Sequence, residues 1–157
     1  CYSGVINQTP NIDRIAEEGV RLDNCLCTNS ICTPSRAVIL TGLHSHKNGV
    51  YTLADELDSS KDSFVKQLKK NGYQTAMVGK WHLGHSPESL PQGFDYWSIL
   101  PGQGLYHNPE FIEVDGKKTV EGYVTDIITE KAIRWLDSID KEKPFYLSLH
   151  HKAWIII

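Results

Sequence analysis

The segment GYQTAMVGKWHLG, residues 72–84, joins a short apolar run to a cation and an imidazole. Residues 73–78 have the length and composition of a buried β-strand, which we expect to end near Gly79. Lys80 and His82 follow two positions apart, and an extended backbone would direct both side chains to the same side. Histidine transfers protons near neutral pH, so this strand end is a candidate functional edge. The alternative is a solvated lysine beside a structural histidine.

Helical and strand patterns alternate on both sides of this segment. Residues 85–118 are rich in proline and glycine and predict a long loop region, with a short hairpin around Asp115-Gly116. The predicted helices run from Pro10, after a Thr9 cap, to a stop at Gly19; from Pro34, after a Thr33 cap, through Leu40 to a stop at Gly42; from a cap at Asp62 to Asn71-Gly72; and over residues 120–139. The other predicted strands are residues 20–24 and a core strand over residues 145–149.

This alternation favours an α/β fold with a mostly parallel sheet flanked by helices. In such sheets, ligands bind beyond the carboxyl ends of the strands and at helix N-termini. The chain has 157 residues, of which 40% are apolar and 22% charged, so it can form one domain with a core. The net charge of −3 does not indicate nucleic-acid binding, and no apolar run is long enough for a membrane span.

The second informative segment is CTPSRAVILTG, residues 32–42. With Thr33 as the cap and Pro34 as the first helical residue, Cys32 would lie just outside a helix N-terminus, which favours an anion. Arg36 lies about one turn inside the helix, where it opposes the helix dipole. Binding of a tetrahedral oxyanion would explain an arginine there. A partly buried cysteine and a surface arginine are the alternative.

The cysteines do not form a pattern typical of disulfides. Three of the four lie within eight positions, whereas a disulfide framework usually spreads cysteines through a small chain. A zinc site is conceivable, although the spacing fits no common zinc motif. Its ligands would be Cys25, Cys27 and Cys32 with one of His44 or His46.

Together, the two segments resemble the two signatures of the sulfatase family. Cys-x-Pro-Ser-Arg followed by three residues and Leu-Thr-Gly resembles the first signature, and Gly-Tyr-x-Thr-x-x-Val-Gly-Lys-Trp-His-Leu-Gly resembles the second. Residues 9–16 are similar to the opening helix of the family, and the resemblance extends from about residue 1 to residue 153. It implies an alkaline-phosphatase-like fold. Residues 1–157 would then be a single partial catalytic domain, an N-terminal fragment that lacks the first strand and the C-terminal part.

The resemblance also implies a chemistry. Cys32 is expected to be the nucleophile precursor and a metal ligand, converted to formylglycine (3-oxoalanine) by a formylglycine-generating enzyme that reads Cys-x-Pro-x-Arg. The hydrated aldehyde attacks sulfur and releases the alcohol, and a base then expels the sulfate. Arg36 would stabilise the modified side chain, Lys80 would contact sulfate, and His82 would be the base. His151, preferred to His150, would help to protonate the leaving oxygen.

Family members bind one divalent cation, usually Ca²⁺, through oxygen ligands. The acidic ligands are expected before Cys1 and after Ile157. The family often continues with Pro-His where this chain has Trp154-Ile155-Ile156-Ile157, an ending whose origin the residues do not explain. Because the chain has no initiator methionine or signal peptide, we interpret it as a fragment or a processed product.

The expected function is hydrolysis of a sulfuric ester, with a sulfated glycan, another carbohydrate sulfate or a small aryl sulfate as substrate. A phosphoester or phosphonate hydrolase with the same modified cysteine is an alternative, as is an inactive fragment that at most binds sulfated glycans. The family resemblance suggests a periplasmic, secreted or lysosomal location. Trp97 and Tyr106 could stack on a sugar, although loop aromatics more often serve packing.

Overall fold

The computed structural model describes residues 8–152. The hypotheses about Cys1 and about residues 154–157 therefore lie outside the described residues. Its helices are α1 (Pro10–Glu18), α2 (Cys32–Thr41), α3 (Ser45–Asn48), α4 (Phe64–Lys70) and α5 (Val124–Ser138), with a short 3₁₀ turn at Pro87–Ser89. Its strands are β1 (Gln74–Lys80), β2 (Tyr96–Leu100), β3 (Glu110–Glu113), β4 (Gly116–Thr119) and β5 (Phe145–His150).

The strands form one sheet in the order β4-β3-β2-β1-β5. The central β1 runs parallel to β2 and β5, and the hairpin of β3 and β4 adds antiparallel strands at one edge. The prediction of an α/β fold with a mostly parallel sheet is confirmed. The expected hairpin around Asp115-Gly116 is also confirmed, since β3 and β4 meet there.

Two apolar layers cover the two faces of the sheet. Because side chains alternate along a strand, Met77 and Val78 of β1 enter different layers. The Met77 layer contains Ala37 of α2 and Val65 of α4, and the Val78 layer contains Ile128 of α5. Helices therefore cover both faces and leave the carboxyl end of β1 open for a site. Among the described residues, no helix is long and apolar enough to cross a membrane.

The predicted strand over residues 20–24 is absent, and a strand forms where a loop was predicted. Residues 20–24 form no strand and are exposed, with Val20 at 80% and Leu22 at 73% exposure, so their alternation of apolar and polar residues finds no partner in the described part of the chain. Conversely, β2 lies within the segment predicted as loop. It was missed because its five residues lie close to proline and glycine on both sides.

Three helix starts differ from prediction. Helix α2 begins at Cys32 after Ile31, so Thr33 lies inside the helix. Ser63 rather than Asp62 caps α4, with its hydroxyl accepting from a backbone N–H. Helix α5 begins at Val124, four residues late, because the preceding apolar residues pair with the chain at positions 107–109.

The other elements largely agree with prediction. The helix from Pro10 stops before Gly19, and Gly42 ends α2 with a left-handed φ of 68°. Strand β5 is one residue longer than expected and lies at the end of the described sheet, where Phe145 and Leu149 are 50% and 38% exposed. It is thus an edge strand of the described sheet rather than a core strand.

Candidate active site

The start of α2 lies against the carboxyl end of β1, and one hydrogen bond joins the two sequence motifs. Arg36 Nη1 donates to the backbone oxygen of Lys80 at 2.7 Å. Burial lowers the pKa of Arg36, while the nearby Cys32 opposes that shift. Burial likewise lowers the pKa of Lys80, again opposed by Cys32. The structure therefore brings Cys32, Arg36 and Lys80 together, as the sequence predicts.

A pocket of about 310 Å³ opens beside Cys32. Ser35, Arg36, Ser148 and His150 contribute polar groups to its lining, and the remaining wall consists mainly of apolar side chains from α2, α4, β5 and the loops that follow β1. Cys32 is a free cysteine of intermediate exposure, so its side chain is within reach of solvent. The site combines a cysteine thiol with the cations of Arg36 and Lys80 at the strand edge where α/β folds bind ligands.

Lys80 and His82 meet at the side chain of Gln103. Lys80 Nζ donates to Gln103 Oε1 at 2.6 Å, and Gln103 Nε2 lies 3.4 Å from His82 Nε2. The expectation of an extended backbone through this segment is wrong, because His82 has a left-handed φ of 54°. The intervening Trp81 is buried, with its indole nitrogen donating to Ser89. The side chains of Lys80 and His82 nevertheless lie on one side, where they share Gln103 as a partner.

Hydrogen-bond chemistry indicates the tautomer of His82. An ammonium group only donates, so Gln103 Oε1 faces Lys80 and the amide NH₂ faces His82. His82 Nε2 then carries the lone pair, and Nδ1–H points to Thr33 Oγ1 at 3.4 Å. Burial lowers the pKa of His82, and Lys80, Arg36 and His85 lower it further. This imidazole is suited to accept a proton at Nε2.

The two adjacent histidines at the end of β5 have different surroundings. His150 Nδ1 lies 2.9 Å from Arg36 Nη1, and its Nε2 lies 3.0 Å from Ser148 Oγ. His151 follows the strand and is exposed. The structure therefore brings His150, and not His151, into the cluster around Cys32. A catalytic role for His151 stays a prediction.

The described residues do not form a metal site by themselves. Within residues 8–152 no group of three or more His, Cys, Asp or Glu side chains could hold a metal ion. The zinc alternative is therefore not supported, and Cys25 and Cys27 are free and exposed. Calcium takes six to eight oxygen ligands, whereas the charged neighbours of Cys32 are the cations Arg36 and Lys80. These residues do not fit Ca²⁺ on their own.

Sequence reasoning missed Gln103 and Ser148. Gln103 lies between Gly102 and Gly104, both with positive φ, in a tight turn directly after β2. Recognition of β2 as a strand parallel to β1 would have placed this turn at the functional edge. Ser148 could have been found through its spacing of two from His150, because such residues share one face of a strand.

The aromatic residues suggested for sugar stacking have other contacts. Trp97 packs against the Met77 layer of the core. The ring of Tyr106 lies 4.1 Å below Lys152 Nζ, a cation–π arrangement, and Tyr106 also packs against the Val78 layer. Both residues thus serve packing. Tyr106 also contacts Lys152, whose charge lowers the pKa of Lys80.

The sheet with helices on both faces, carrying a cysteine at a helix N-terminus beside arginine and lysine, defines a protein of the alkaline-phosphatase-like α/β class. The sequence model of the Sulfatase family matches residues 1–153, and the chain belongs to the sulfatase family.

Named relatives agree with this assignment. The chain is 55% identical to an N-acetylglucosamine-6-O-sulfatase of Bacteroides thetaiotaomicron, covering 98% of this chain and 27% of the relative. It is 33% identical to the human N-acetylgalactosamine-6-sulfatase, covering 93% and 34% of the two chains. A solved structure of a protein in complex with its substrate, D-glucosamine-2-N,6-O-disulfate, matches with a TM-score of 0.90 at 51% identity, covering 98% and 31%. The chain thus spans about a third or less of the length of these proteins.

Proposed function

We propose that the protein hydrolyses sulfuric esters and releases sulfate from a 6-O-sulfated amino sugar, with Cys32 acting as formylglycine. The observation that carries this proposal is the 2.7 Å bond from Arg36 to the Lys80 carbonyl, because it joins the two motifs into one site. The substrate class rests on the relatives, two of which are named as 6-sulfatases of acetylated amino sugars. Residues 1–157 would form part of one catalytic domain.

In this proposal the cations at the site bind the sulfate group. Lys80 directs its ammonium group away from the apolar core, and Arg36 lines the pocket beside Cys32. Partial burial strengthens the attraction of both side chains to an anion, since fewer water molecules screen it. Cys32, as the first residue of α2, also lies at the positive end of a helix. A sulfate ester bound here would have its sulfur next to the modified side chain.

His82 would act as the base in the step that expels sulfate. Its Nε2 lone pair lies on the side of Lys80, next to the cation that would hold the sulfate. Its lowered pKa keeps the ring neutral at neutral pH, as a base requires. We keep His151 as the proposed acid for the leaving oxygen. A formylglycine-generating enzyme would be the partner that modifies Cys32.

Calcium remains a family-level proposal for this protein. Cys32, as formylglycine, would supply one oxygen ligand, and the described residues around it supply cations in place of the further oxygens that Ca²⁺ requires.

The test uses the full-length protein that contains this chain, co-expressed with a formylglycine-generating enzyme. Mass spectrometry should show the Cys32 peptide lighter by a sulfur-for-oxygen exchange and two hydrogens. Sulfate release from N-acetylglucosamine-6-sulfate should exceed phosphate release from N-acetylglucosamine-6-phosphate. Cys32→Ala should abolish it, whereas Cys25→Ala, at an exposed free cysteine, should not. A preference for the phosphate ester, or an unmodified and inactive Cys32, would overturn the proposal.

A further inference from the structure

We propose that His150 is a positioning residue, which accepts a hydrogen bond from Arg36 at Nδ1 and donates from Nε2 to Ser148. The inference rests on the proposed function, because it concerns the arginine beside Cys32. It assigns to His150 a role different from proton transfer to the leaving oxygen.

The contacts of Arg36 determine which nitrogen of His150 carries the proton. Arg36 Nη1 has two hydrogens, and its two neighbours are the Lys80 oxygen at 2.7 Å and His150 Nδ1 at 2.9 Å. A guanidinium group only donates, so Nδ1 must accept. His150 Nδ1 also lies 3.1 Å from the Lys80 oxygen. A proton on Nδ1 would serve that oxygen but would face the hydrogens of Arg36, whereas a lone pair on Nδ1 leaves Arg36 to satisfy both acceptors.

The other ring nitrogen supports the same tautomer. His150 Nε2 lies 3.0 Å from the hydroxyl of Ser148, which can accept the Nε2 proton. Ser148 is only 8% exposed, and it shares one face of β5 with His150. The ring is therefore held at both nitrogens, and its orientation is fixed from the strand side.

The charges around His150 favour its neutral form. The charged groups near it are Arg36 from α2 and Lys80 at the end of β1, whose backbone oxygen contacts the ring, while Cys32 lines the same pocket. Burial lowers the pKa of His150 and Arg36 lowers it further, and together they outweigh the opposing effect of the nearby Lys80 backbone oxygen. Protonation would set an imidazolium against a guanidinium and remove the acceptor. Arg36 would then keep its hydrogen bond to the Lys80 carbonyl but lose its hydrogen bond to His150.

NMR spectroscopy of the isotopically labelled full-length protein that contains this chain tests this role without reference to activity. Long-range ¹H–¹⁵N correlations should show Nε2 of His150 protonated and Nδ1 unprotonated at pH 7. In His150→Phe, which keeps a ring but has no acceptor, the guanidinium resonances of Arg36 should shift and exchange faster with water. His150→Gln offers a side-chain oxygen to Arg36 and should restore part of the wild-type signal. The matched control His151→Phe, at an exposed position, should leave the Arg36 resonances unchanged.

A proton on Nδ1 of wild-type His150 would overturn the proposal, even if the variants failed to fold. Unchanged Arg36 resonances in folded His150→Phe would overturn it as well. In the full-length enzyme, kcat/KM of His150→Phe should fall by about 10²-fold, with partial recovery in His150→Gln, as expected for loss of orientation. An inactive wild-type enzyme with the expected NMR pattern would reject the proposed function alone. An active enzyme with Nδ1 protonated would reject the positioning role alone.

Discussion

Replacement of Gly79 by alanine tests how closely β1 and β5 approach each other at the candidate site. Gly79 pairs with His150 and has a φ of 104°, a conformation that L-residues rarely adopt. An added Cβ would lie 2.1 Å from the carbonyl oxygen of His150 and 2.9 Å from its carbonyl carbon. Both are backbone atoms of a paired strand, so they cannot move aside as a flexible side chain can.

Two contributions set the size of the effect. A non-glycine residue at such a φ costs about 1–3 kcal/mol of backbone strain. Forcing a methyl group into filled space costs typically about 1–3 kcal/mol more, and the short contact with backbone atoms favours the upper end of that range. We therefore expect Gly79→Ala to lower the free energy of unfolding by about 4 kcal/mol. That is a large part of the roughly 5–15 kcal/mol of a typical domain.

Urea unfolding, followed by far-UV circular dichroism at pH 7, measures this change. Gly116→Ala is the matched control, because Gly116 has a φ of 122° but no atom lies within 4 Å of the place that an added Cβ would occupy. It reports the backbone strain without the clash, about 1–2 kcal/mol. If both variants lost the same stability, within about 0.5 kcal/mol, the clash with His150 would not exist and the reasoning would be refuted.

Three further predictions concern the site and the core. Gln103→Leu removes the common partner of Lys80 and His82 and should lower kcat of the full-length enzyme by about tenfold, whereas Gln92→Leu, at an exposed position, should leave it unchanged. Glu113 accepts hydrogen bonds from Lys131, Ser98 and Lys118, which together outweigh burial and lower its pKa to about 2. The stabilisation that ionised Glu113 contributes is present above pH 4.5 and is lost as the pH falls through about 2. Glu113→Gln should therefore lower the free energy of unfolding by about 2 kcal/mol at pH 7, after allowance for solvent screening. Unfolding free energies measured across the acid range should also fall less steeply in the variant than in the wild type. The folded protein lowers the pKa values of His82 and His150, so the unfolded chain binds protons more readily than the folded chain does. The free energy of unfolding should therefore fall as the pH drops below about 6.5. If chemical denaturation gave the same free energy of unfolding between pH 7 and pH 5, this prediction would be wrong.

Local patterns predicted the elements whose signals lie within one segment. The apolar run of β1 predicts a strand from its own residues, and glycine at position 42 ends α2 because it alone adopts the left-handed φ without strain. Pairing between segments was not predictable in this way. Residues 20–24 alternate like a strand but have no partner among the described residues, whereas β2 forms because β1 and β3 pair with it on both sides.

The candidate site shows the same division between local and long-range information. Two short motifs predicted that Cys32, Arg36, Lys80 and His82 lie near one another, since ligands bind at the carboxyl ends of strands, and the structure brings these residues together. The sequence analysis preferred His151 to His150, whereas the structure places His150 beside Arg36. Adjacent residues on a strand point to opposite faces, so only the register that pairs Gly79 with His150 shows which ring reaches Arg36.

The Lys80 carbonyl explains why these elements meet where they do. It lies at the last residue of β1, and Arg36 of α2 donates to it at 2.7 Å while His150 of β5 lies 3.1 Å away. A polar group at a strand end must find a partner when it is withdrawn from water, and a charged donor supplies a strong one. Arg36 therefore stabilises the end of the sheet by the same contact that holds its guanidinium group beside Cys32. The geometry of the site is thus coupled to the pairing of β1 and β5, and for this reason a methyl group at Gly79 should disturb both.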